Sequence, residues 1–146
     1  MANQFAPTIR VRYEETDQMG VVYHGNYLNY FEVGRTELMR HLGFPYAEME
    51  ARGVLLTVVE ARCRYKASAR YDDVLRIETE GECLSGLRVR FQYRVVRDAD
   101  DVLVADGWTD LACLDREYRP RRMPEDVAAA IGSTALASES GLPRKH

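Results

Sequence analysis

One long amphipathic helix set among strand-like segments is the feature that most limits the fold of this chain. From Asn26 the apolar residues change from alternate spacing to helical spacing, and Gly43 and Pro45 end the stretch. Gly34 lies inside the apolar stripe, where a bare backbone lets a helix approach a sheet closely. The full stripe consists of Tyr27, Tyr30, Phe31, Gly34, Leu38 and Leu42.

The segments outside this helix have the patterns of strands. A continuously apolar run at residues 54–59 predicts a strand that is covered on both faces. Other segments alternate, with apolar side chains on one face and charged side chains on the other. Strands are predicted at residues 9–13, 54–66, 75–83, 87–95 and 102–114, with short helices at 45–52 and after Pro124.

Two of the alternating segments are predicted to form a hairpin with a three-residue loop. The apolar side chains of the two strands lie on one face only when the residue numbers of each cross-strand pair add up to an even number. A two-residue turn at Ser85 and Gly86 gives an odd sum and is therefore excluded. A loop at residues 84–86 meets this condition and requires Gly86 in the left-handed region. It places Glu82 opposite Arg88 and Glu80 opposite Arg90.

These elements predict an α+β fold that needs cover from outside one chain. The 146 residues suffice for a single domain, which we place at residues 1–132, with a disordered tail at 133–146. One helix cannot cover both faces of such a sheet, so a second copy of the chain is the simplest partner. A homodimer or homotetramer is therefore expected. Val33 and Met39 lie off the helix stripe and are predicted to contact the neighbouring subunit.

Composition argues against several classes of function. A net charge of −3 and a pI near 5.7 give no overall attraction for nucleic acid. The first residues lack a signal-peptide pattern, and no apolar run reaches the roughly 20 residues that span a membrane. We therefore expect a cytoplasmic protein without membrane insertion. The three cysteines have no zinc or redox spacing, so we expect reduced, buried thiols and no metal.

The loop that leads into the helix combines a carboxylate with a helix start. Free N–H groups and the positive end of the helix dipole near His24, Gly25 and Asn26 suit a developing negative charge. Asp17 lies seven residues before His24, close enough in a bent loop to face the same volume. A carboxylate beside an oxyanion site suffices for acyl-group hydrolysis. The alternative is that Asp17 only caps its own turn, with Gly20 and Gly25 as turn residues.

Residues 11–38 resemble the opening of the hotdog-fold acyl-CoA thioesterases of the 4-hydroxybenzoyl-CoA thioesterase family. The spacing of Tyr13, Asp17 and His24 matches the family pattern, and residues 65–79 resemble its second block. Within the family, the similarity is greatest to the YbgC-like branch associated with the Tol-Pal system. The resemblance implies an antiparallel sheet strongly bent around the long helix. It also implies a dimer or tetramer with the substrate channel between subunits.

The resemblance also implies roles for the residues of the loop. Asp17 would attack the thioester or act as a general base, two routes that the sequence does not separate. Tyr13 and His24 would lie beside the thioester, and backbone N–H groups at the helix start would bind the oxyanion. The substrate-binding residues at the helix start would be Gly25, Asn26 and Tyr27.

Coenzyme A is part of the implied substrate, so no separate cofactor is expected. Its phosphates need cations at the mouth of the channel. Arg64 and Arg90 are the first candidates, and Arg62, Lys66 and Arg88 are further ones. The sequence does not identify the acyl group.

Two other functions stay open at this point. A hotdog dehydratase or hydratase would use a carboxylate on the helix, where Glu32 and Glu37 lie, but neither has a suitably placed histidine. A non-catalytic partner of acyl thioesters or of an acyl carrier protein would keep the fold for binding alone. The complete set of Tyr13, Asp17 and His24 argues against that second alternative.

Overall fold

A computed structural model describes residues 5–134 of the chain, which form an α+β fold as predicted. The predicted tail lies outside the described residues, except for Ser133 and Thr134. Thr134 Oγ1 accepts a hydrogen bond of 2.6 Å from the N–H of Gly81, which attaches the end of the last helix to the sheet. The helices are α1 (Asn26–Leu42), α2 (Tyr46–Ala51) and α3 (Glu125–Gly132), and the strands are β1 (Thr8–Arg10), β2 (Leu55–Tyr65), β3 (Val74–Cys83), β4 (Arg88–Arg97) and β5 (Val102–Leu114).

The five strands form one antiparallel sheet in the order β1-β3-β4-β5-β2, and α1 lies on one face of it. At Gly34 a Cβ would come within 2.5 Å of Thr79 Oγ1 and 2.6 Å of Ile77 Cγ2, so the predicted close approach is confirmed. Nearby, the rings of Phe31 and Tyr93 stack with their centroids 4.2 Å apart. The buried strand positions on this face include Leu75, Ile77, Val89, Phe91, Tyr93, Val95 and Leu111.

The boundaries of α1 agree with the sequence pattern, but the surroundings of one residue do not. The helix ends at Gly43, which has a left-handed φ of 95°, and Pro45 immediately precedes α2. Met39 is fully buried within the chain, so the prediction that it contacts a neighbouring subunit is wrong. The reason is that α2 and α3 both pack against α1 and contribute Met49, Val127 and Ile131 to the same core.

The β3–β4 hairpin is confirmed, but its predicted register is wrong by two residues. Glu82 lies opposite Arg90, and Glu80 lies opposite Gln92. The residue numbers of each cross-strand pair still add up to an even number, so the apolar side chains of both strands lie on one face, as predicted. This is the face that packs against α1. The loop is longer than three residues.

Gly86 in this loop packs against the end of the Arg122 side chain and does not form a left-handed turn. Its φ is not positive, so the predicted conformation is wrong. A Cβ at Gly86 would lie 2.5 Å from the guanidinium carbon of Arg122, and its carbonyl accepts a 2.8 Å hydrogen bond from Met123 N–H. The segment that follows β5 therefore packs against the hairpin loop.

Strand β2 forms one edge of the sheet, with β5 as its neighbour. Val54 is buried, whereas Val58 and Val59 are 43% and 46% exposed. The prediction that this run is covered on both faces is therefore wrong for the single chain. Cover by a second copy stays a prediction.

Candidate active site

The loop before α1 folds back on itself as a short hairpin. Asp17 N–H donates to the carbonyl of Val21, and Gly20 N–H donates to the carbonyl of Asp17, both at 2.9 Å. Gly20 has a φ of 81°, a left-handed conformation that favours glycine. Tyr23 N–H then donates to the Glu15 carbonyl at 2.9 Å. The loop thus places Asp17 at its turn and ends at the start of α1.

One oxygen of the Asp17 carboxylate holds this turn. Oδ1 accepts a 2.9 Å hydrogen bond from the N–H of Met19, two residues later. This bond shows that Asp17 caps its own turn, which is one part of the alternative interpretation. Within residues 5–134, however, Oδ2 has no hydrogen-bond partner, and Asp17 is partly exposed. One carboxylate oxygen is therefore held by the turn, and the other is unbonded within the described residues.

The N–H groups at the start of α1 are not all available to an oxyanion. Asn26 N–H donates to the Tyr23 carbonyl at 2.9 Å, and Tyr27 N–H donates to the His24 carbonyl at 3.3 Å. The N–H groups of His24 and Gly25 have no acceptor in the part of the chain that the structure describes. Of the three residues predicted to offer N–H groups at the helix start, His24 and Gly25 have N–H groups without an acceptor among the described residues, and Asn26 does not.

His24 lies in an aromatic environment at the surface. Its ring centroid lies 4.4 Å from that of Tyr23 and 6.1 Å from that of Tyr65. The Tyr65 hydroxyl donates to the His24 carbonyl at 3.3 Å. Beneath them Tyr27 is buried, and this burial raises its pKa to about 12. A neutral, largely apolar wall therefore adjoins the helix start.

Among the described residues, Tyr13 makes no ring contact with this aromatic group. The predicted strand ends at Arg10, and Tyr13 begins a single 3₁₀ turn, Tyr13–Glu15, so the alternation predicted as far as residue 13 is wrong. The Tyr13 side chain is 78% exposed, and its ring meets that of Tyr71 edge-on with centroids 5.9 Å apart. Its carbonyl accepts hydrogen bonds from the N–H and Oγ1 of Thr16.

The two arginines predicted for coenzyme A phosphates are both engaged in ion pairs. Arg90 binds Asp110 through two nitrogens, at 2.6 and 2.9 Å, and its guanidinium carbon lies 4.0 Å from the ring centroid of Trp108. Hydrogen bonding to Asp110 raises the pKa of Arg90. Arg64 binds Asp106 at 3.1 Å. Both pairs lie on the face of the sheet opposite α1.

Three residues near the loop were not selected from the sequence. Glu15 accepts several hydrogen bonds that shape the loop, and Tyr65 contacts His24. Arg70 pairs with Val21, and its Nη1 lies 3.7 Å from where a Cβ on Gly20 would stand. Tyr65 and Arg70 both lie in the second block of the family resemblance, which was the available signal.

Comparisons with known proteins identify the family. Residues 11–131 match the sequence profile of the thioesterase-like superfamily. The chain is 36% identical over 122 residues to the acyl-CoA thioester hydrolase YbgC of Escherichia coli, covering 83% of this chain and 90% of that protein. The chain belongs to the thioesterase-like superfamily.

Solved structures of this superfamily confirm the predicted hotdog fold. DHNA-CoA thioesterase from Staphylococcus aureus has a TM-score of 0.82 and 33% identity, with 95% of each chain covered. The hypothetical protein TT1821 from Thermus thermophilus has a TM-score of 0.81 and 40% identity, covering 88% of this chain and 98% of its own. The similarity thus extends over nearly the whole hotdog domain.

Within residues 5–134 no three His, Cys, Asp or Glu side chains are grouped so that they could hold a metal ion. No helix in the same range is long and apolar enough to cross a membrane.

Proposed function

We propose that this chain hydrolyses an acyl-CoA thioester to the free acid and coenzyme A. The observation that carries the proposal is the Asp17 carboxylate, in which Met19 N–H holds Oδ1 while Oδ2 has no partner among the described residues. An oriented carboxylate oxygen can attack a carbonyl or deprotonate water. The names of two relatives, acyl-CoA thioester hydrolase and DHNA-CoA thioesterase, support the same class of reaction.

Two routes are compatible with this carboxylate. In the first, Oδ2 attacks the thioester carbon, the C–S bond breaks, and the thiolate leaves and takes a proton from water. A second water then hydrolyses the mixed anhydride. In the second route, Oδ2 takes a proton from water, the water oxygen attacks the same carbon, and the proton passes to the departing thiolate. A thioester suits both routes because its carbonyl lacks the resonance stabilisation of an amide.

The oxyanion is proposed to bind the free N–H groups at the start of α1. Gly25 N–H is the first candidate and His24 N–H the second, because the N–H groups of Asn26 and Tyr27 already donate to carbonyls. Preorganised donors of this kind lower the energy of a tetrahedral intermediate. The His24 imidazole is exposed and assists, and the buried Tyr27 supports from below the aromatic wall beside which the acyl group lies.

For the coenzyme A phosphates we propose Arg70 instead of the two arginines chosen from the sequence. Arg64 and Arg90 would have to leave Asp106 and Asp110 to bind a phosphate. Arg70 has no ion-pair partner within residues 5–134, and its guanidinium lies over the turn that contains Gly20. It is therefore a cation beside the reacting loop that does not need to break an ion pair first.

The proposed active form is a homodimer or homotetramer. The edge position of β2, together with the exposed Val58 and Val59, supports pairing with a second copy along this strand. An acyl carrier protein is a further proposed partner, as an alternative carrier of the thioester. The reaction requires no cofactor.

A thiol-release assay tests the proposed function. Purified protein is incubated with aliphatic and aromatic acyl-CoAs, an α,β-unsaturated acyl-CoA and an acyl-carrier-protein thioester. We expect thiol release from at least one acyl-CoA. Addition of water to the unsaturated substrate without thiol release would instead indicate a hydratase. Binding without any reaction would indicate a non-catalytic acyl-thioester protein.

A further inference from the structure

Glu15 makes more hydrogen bonds to the loop than its place in a short turn would suggest. Its Oε1 accepts hydrogen bonds from the hydroxyl of Tyr30 at 3.0 Å and from the N–H of Arg12 at 2.9 Å. Its backbone carbonyl accepts two more, from Tyr23 N–H and from Asn26 Nδ2, each at 2.9 Å. Its Oε2 also accepts a 3.4 Å hydrogen bond from Arg12 Nε, so this one residue accepts five hydrogen bonds.

These bonds join the three parts of the site that must keep a fixed geometry. Glu15 lies two residues before Asp17, so it holds the incoming side of the loop. Tyr23 belongs to the returning side, and Asn26 is the first residue of α1. Tyr30 lies one turn further along α1. Glu15 thus connects the carboxylate segment to the helix start that carries the Gly25 N–H group.

The hydrogen bond between Glu15 and Tyr30 lies away from bulk water. The Glu15 side chain is 18% exposed, and Tyr30 is 3% exposed. Burial and this hydrogen bond both raise the pKa of Tyr30, so its hydroxyl stays a donor at working pH. Hydrogen bonds to an ionised acceptor are stronger than neutral ones, and low exposure strengthens them further.

The neighbouring Glu14 provides an internal comparison. Its side chain is 70% exposed and forms an ion pair with Arg12 at 2.9 Å. Glu14 and Glu15 lie in the same 3₁₀ turn and are both acidic residues. Of the two, only Glu15 forms a hydrogen bond to a side chain of α1. Charge alone therefore does not explain the placement of Glu15.

We propose that Glu15 is a positioning residue that fixes Asp17 relative to the Gly25 N–H group during thioester hydrolysis. The inference rests on the proposed function and extends it to a residue outside the reacting groups. A misplacement of about 1 Å in a reacting constellation costs up to roughly 100-fold in rate. The loss of this anchor should therefore lower kcat rather than raise KM.

Three single variants test the positioning role in the full chain. Glu15→Ala keeps the backbone-carbonyl bonds to Tyr23 and Asn26 but removes the side-chain bonds to Tyr30 and Arg12. We expect kcat to fall about 10- to 100-fold with KM changed less than about twofold. Glu15→Gln keeps an oxygen acceptor for Tyr30 and Arg12 and should restore most of kcat. Glu14→Ala is the matched control and should keep the wild-type kcat. Adding Tyr30→Phe to Glu15→Ala should cause no further loss, because the shared hydrogen bond is already gone.

A readout without substrate separates this inference from the proposed function. Hydrogen exchange of the Asp17 and Tyr23 amides should be faster in Glu15→Ala than in wild type and unchanged in Glu14→Ala. If wild type hydrolyses acyl-CoA and folded Glu15→Ala keeps its kcat, the positioning role is wrong and the function stands. If wild type hydrolyses no thioester, the proposed function is wrong, and unchanged exchange in Glu15→Ala would also reject the anchoring.

Discussion

The charged face of the sheet and the loop before α1 both carry ionisable side chains, but they use them differently. On the sheet, Arg90 forms an ion pair with Asp110, and Arg64 forms one with Asp106, so each of these charges has a partner of opposite sign. In the loop, most of the hydrogen bonds that fix the conformation involve backbone groups. They leave Asp17 Oδ2 and the Gly25 N–H group without partners among the described residues. Paired charges stabilise the fold, whereas oriented groups without partners can act on a substrate.

The largest expected effect on stability comes from breaking the ion pair between Arg90 and Asp110 on the sheet. Arg90→Met keeps an apolar stem over Trp108 but leaves Asp110, which is 3% exposed, without its cation. We expect a loss of about 3–5 kcal/mol in the free energy of unfolding, with kcat of the folded protein unchanged. Urea unfolding measures the loss. The double variant Arg90→Met/Asp110→Leu should recover part of the lost stability. A fall in kcat without destabilisation would instead place Arg90 in the active site.

A smaller effect is expected for the proposed phosphate contact. Arg70→Ala should raise KM for acyl-CoA roughly tenfold and leave kcat unchanged, since the contact lies away from the reacting atoms. An acyl-pantetheine, which lacks the phosphates, should show no change in KM. Arg10→Ala is the matched control, because Arg10 pairs with Asp72 at 3.4 Å. A rise in KM for Arg64→Ala but not for Arg70→Ala would restore the assignment made from the sequence.

The smallest effect concerns the buried wall of the site at alkaline pH. Folding raises the pKa of Tyr27 from 10.0 to about 12, because burial disfavours the phenolate. The unfolded chain therefore loses this proton first. The stability contribution is complete below pH 10 and disappears as the pH rises towards 12. Tyr27→Phe should reduce the stability loss at pH 11 by ~1 kcal/mol, measured by urea unfolding. An unchanged pH dependence would contradict the burial argument.

The parts of the fold that depend on local pattern could be predicted from the sequence. The stripe of α1, its end at Gly43 and the close contact at Gly34 all follow from spacing and residue size. The parts that failed depend on distant segments. Gly86 contacts the segment after β5, where Met123 N–H donates to its carbonyl, and Met39 is covered by α2 and α3. A single segment does not reveal which later segment will pack against it.

The sequence pointed to a candidate site but not to its bonding. The spacing of Asp17 and His24 indicated the loop before α1, and the structure places Asp17 at the turn of that loop. Which N–H groups stay free could not be predicted, because the turn at the helix start uses those of Asn26 and Tyr27. The partners of Arg64 and Arg90 also depend on strand register, and the predicted β3–β4 register was wrong by two residues. Charged residues in a sequence therefore indicate candidate ligand-binding side chains. Only the ion pairs in the folded structure show which of them are available to bind a ligand.

The turnover of Asp17→Asn, measured beside Asp106→Asn, tests the contrast between loop and sheet most directly. The asparagine Oδ1 still accepts from Met19 N–H, so the turn should stay intact while the reactive Oδ2 is replaced by an amide nitrogen. We predict at least about a 100-fold fall in kcat, with unchanged circular dichroism and oligomer size. Asp106→Asn makes the same chemical change on the sheet and should keep kcat within about twofold. A folded Asp17→Asn protein that hydrolyses its best acyl-CoA within a few-fold of wild type would contradict the account and leave Asp17 as a turn residue.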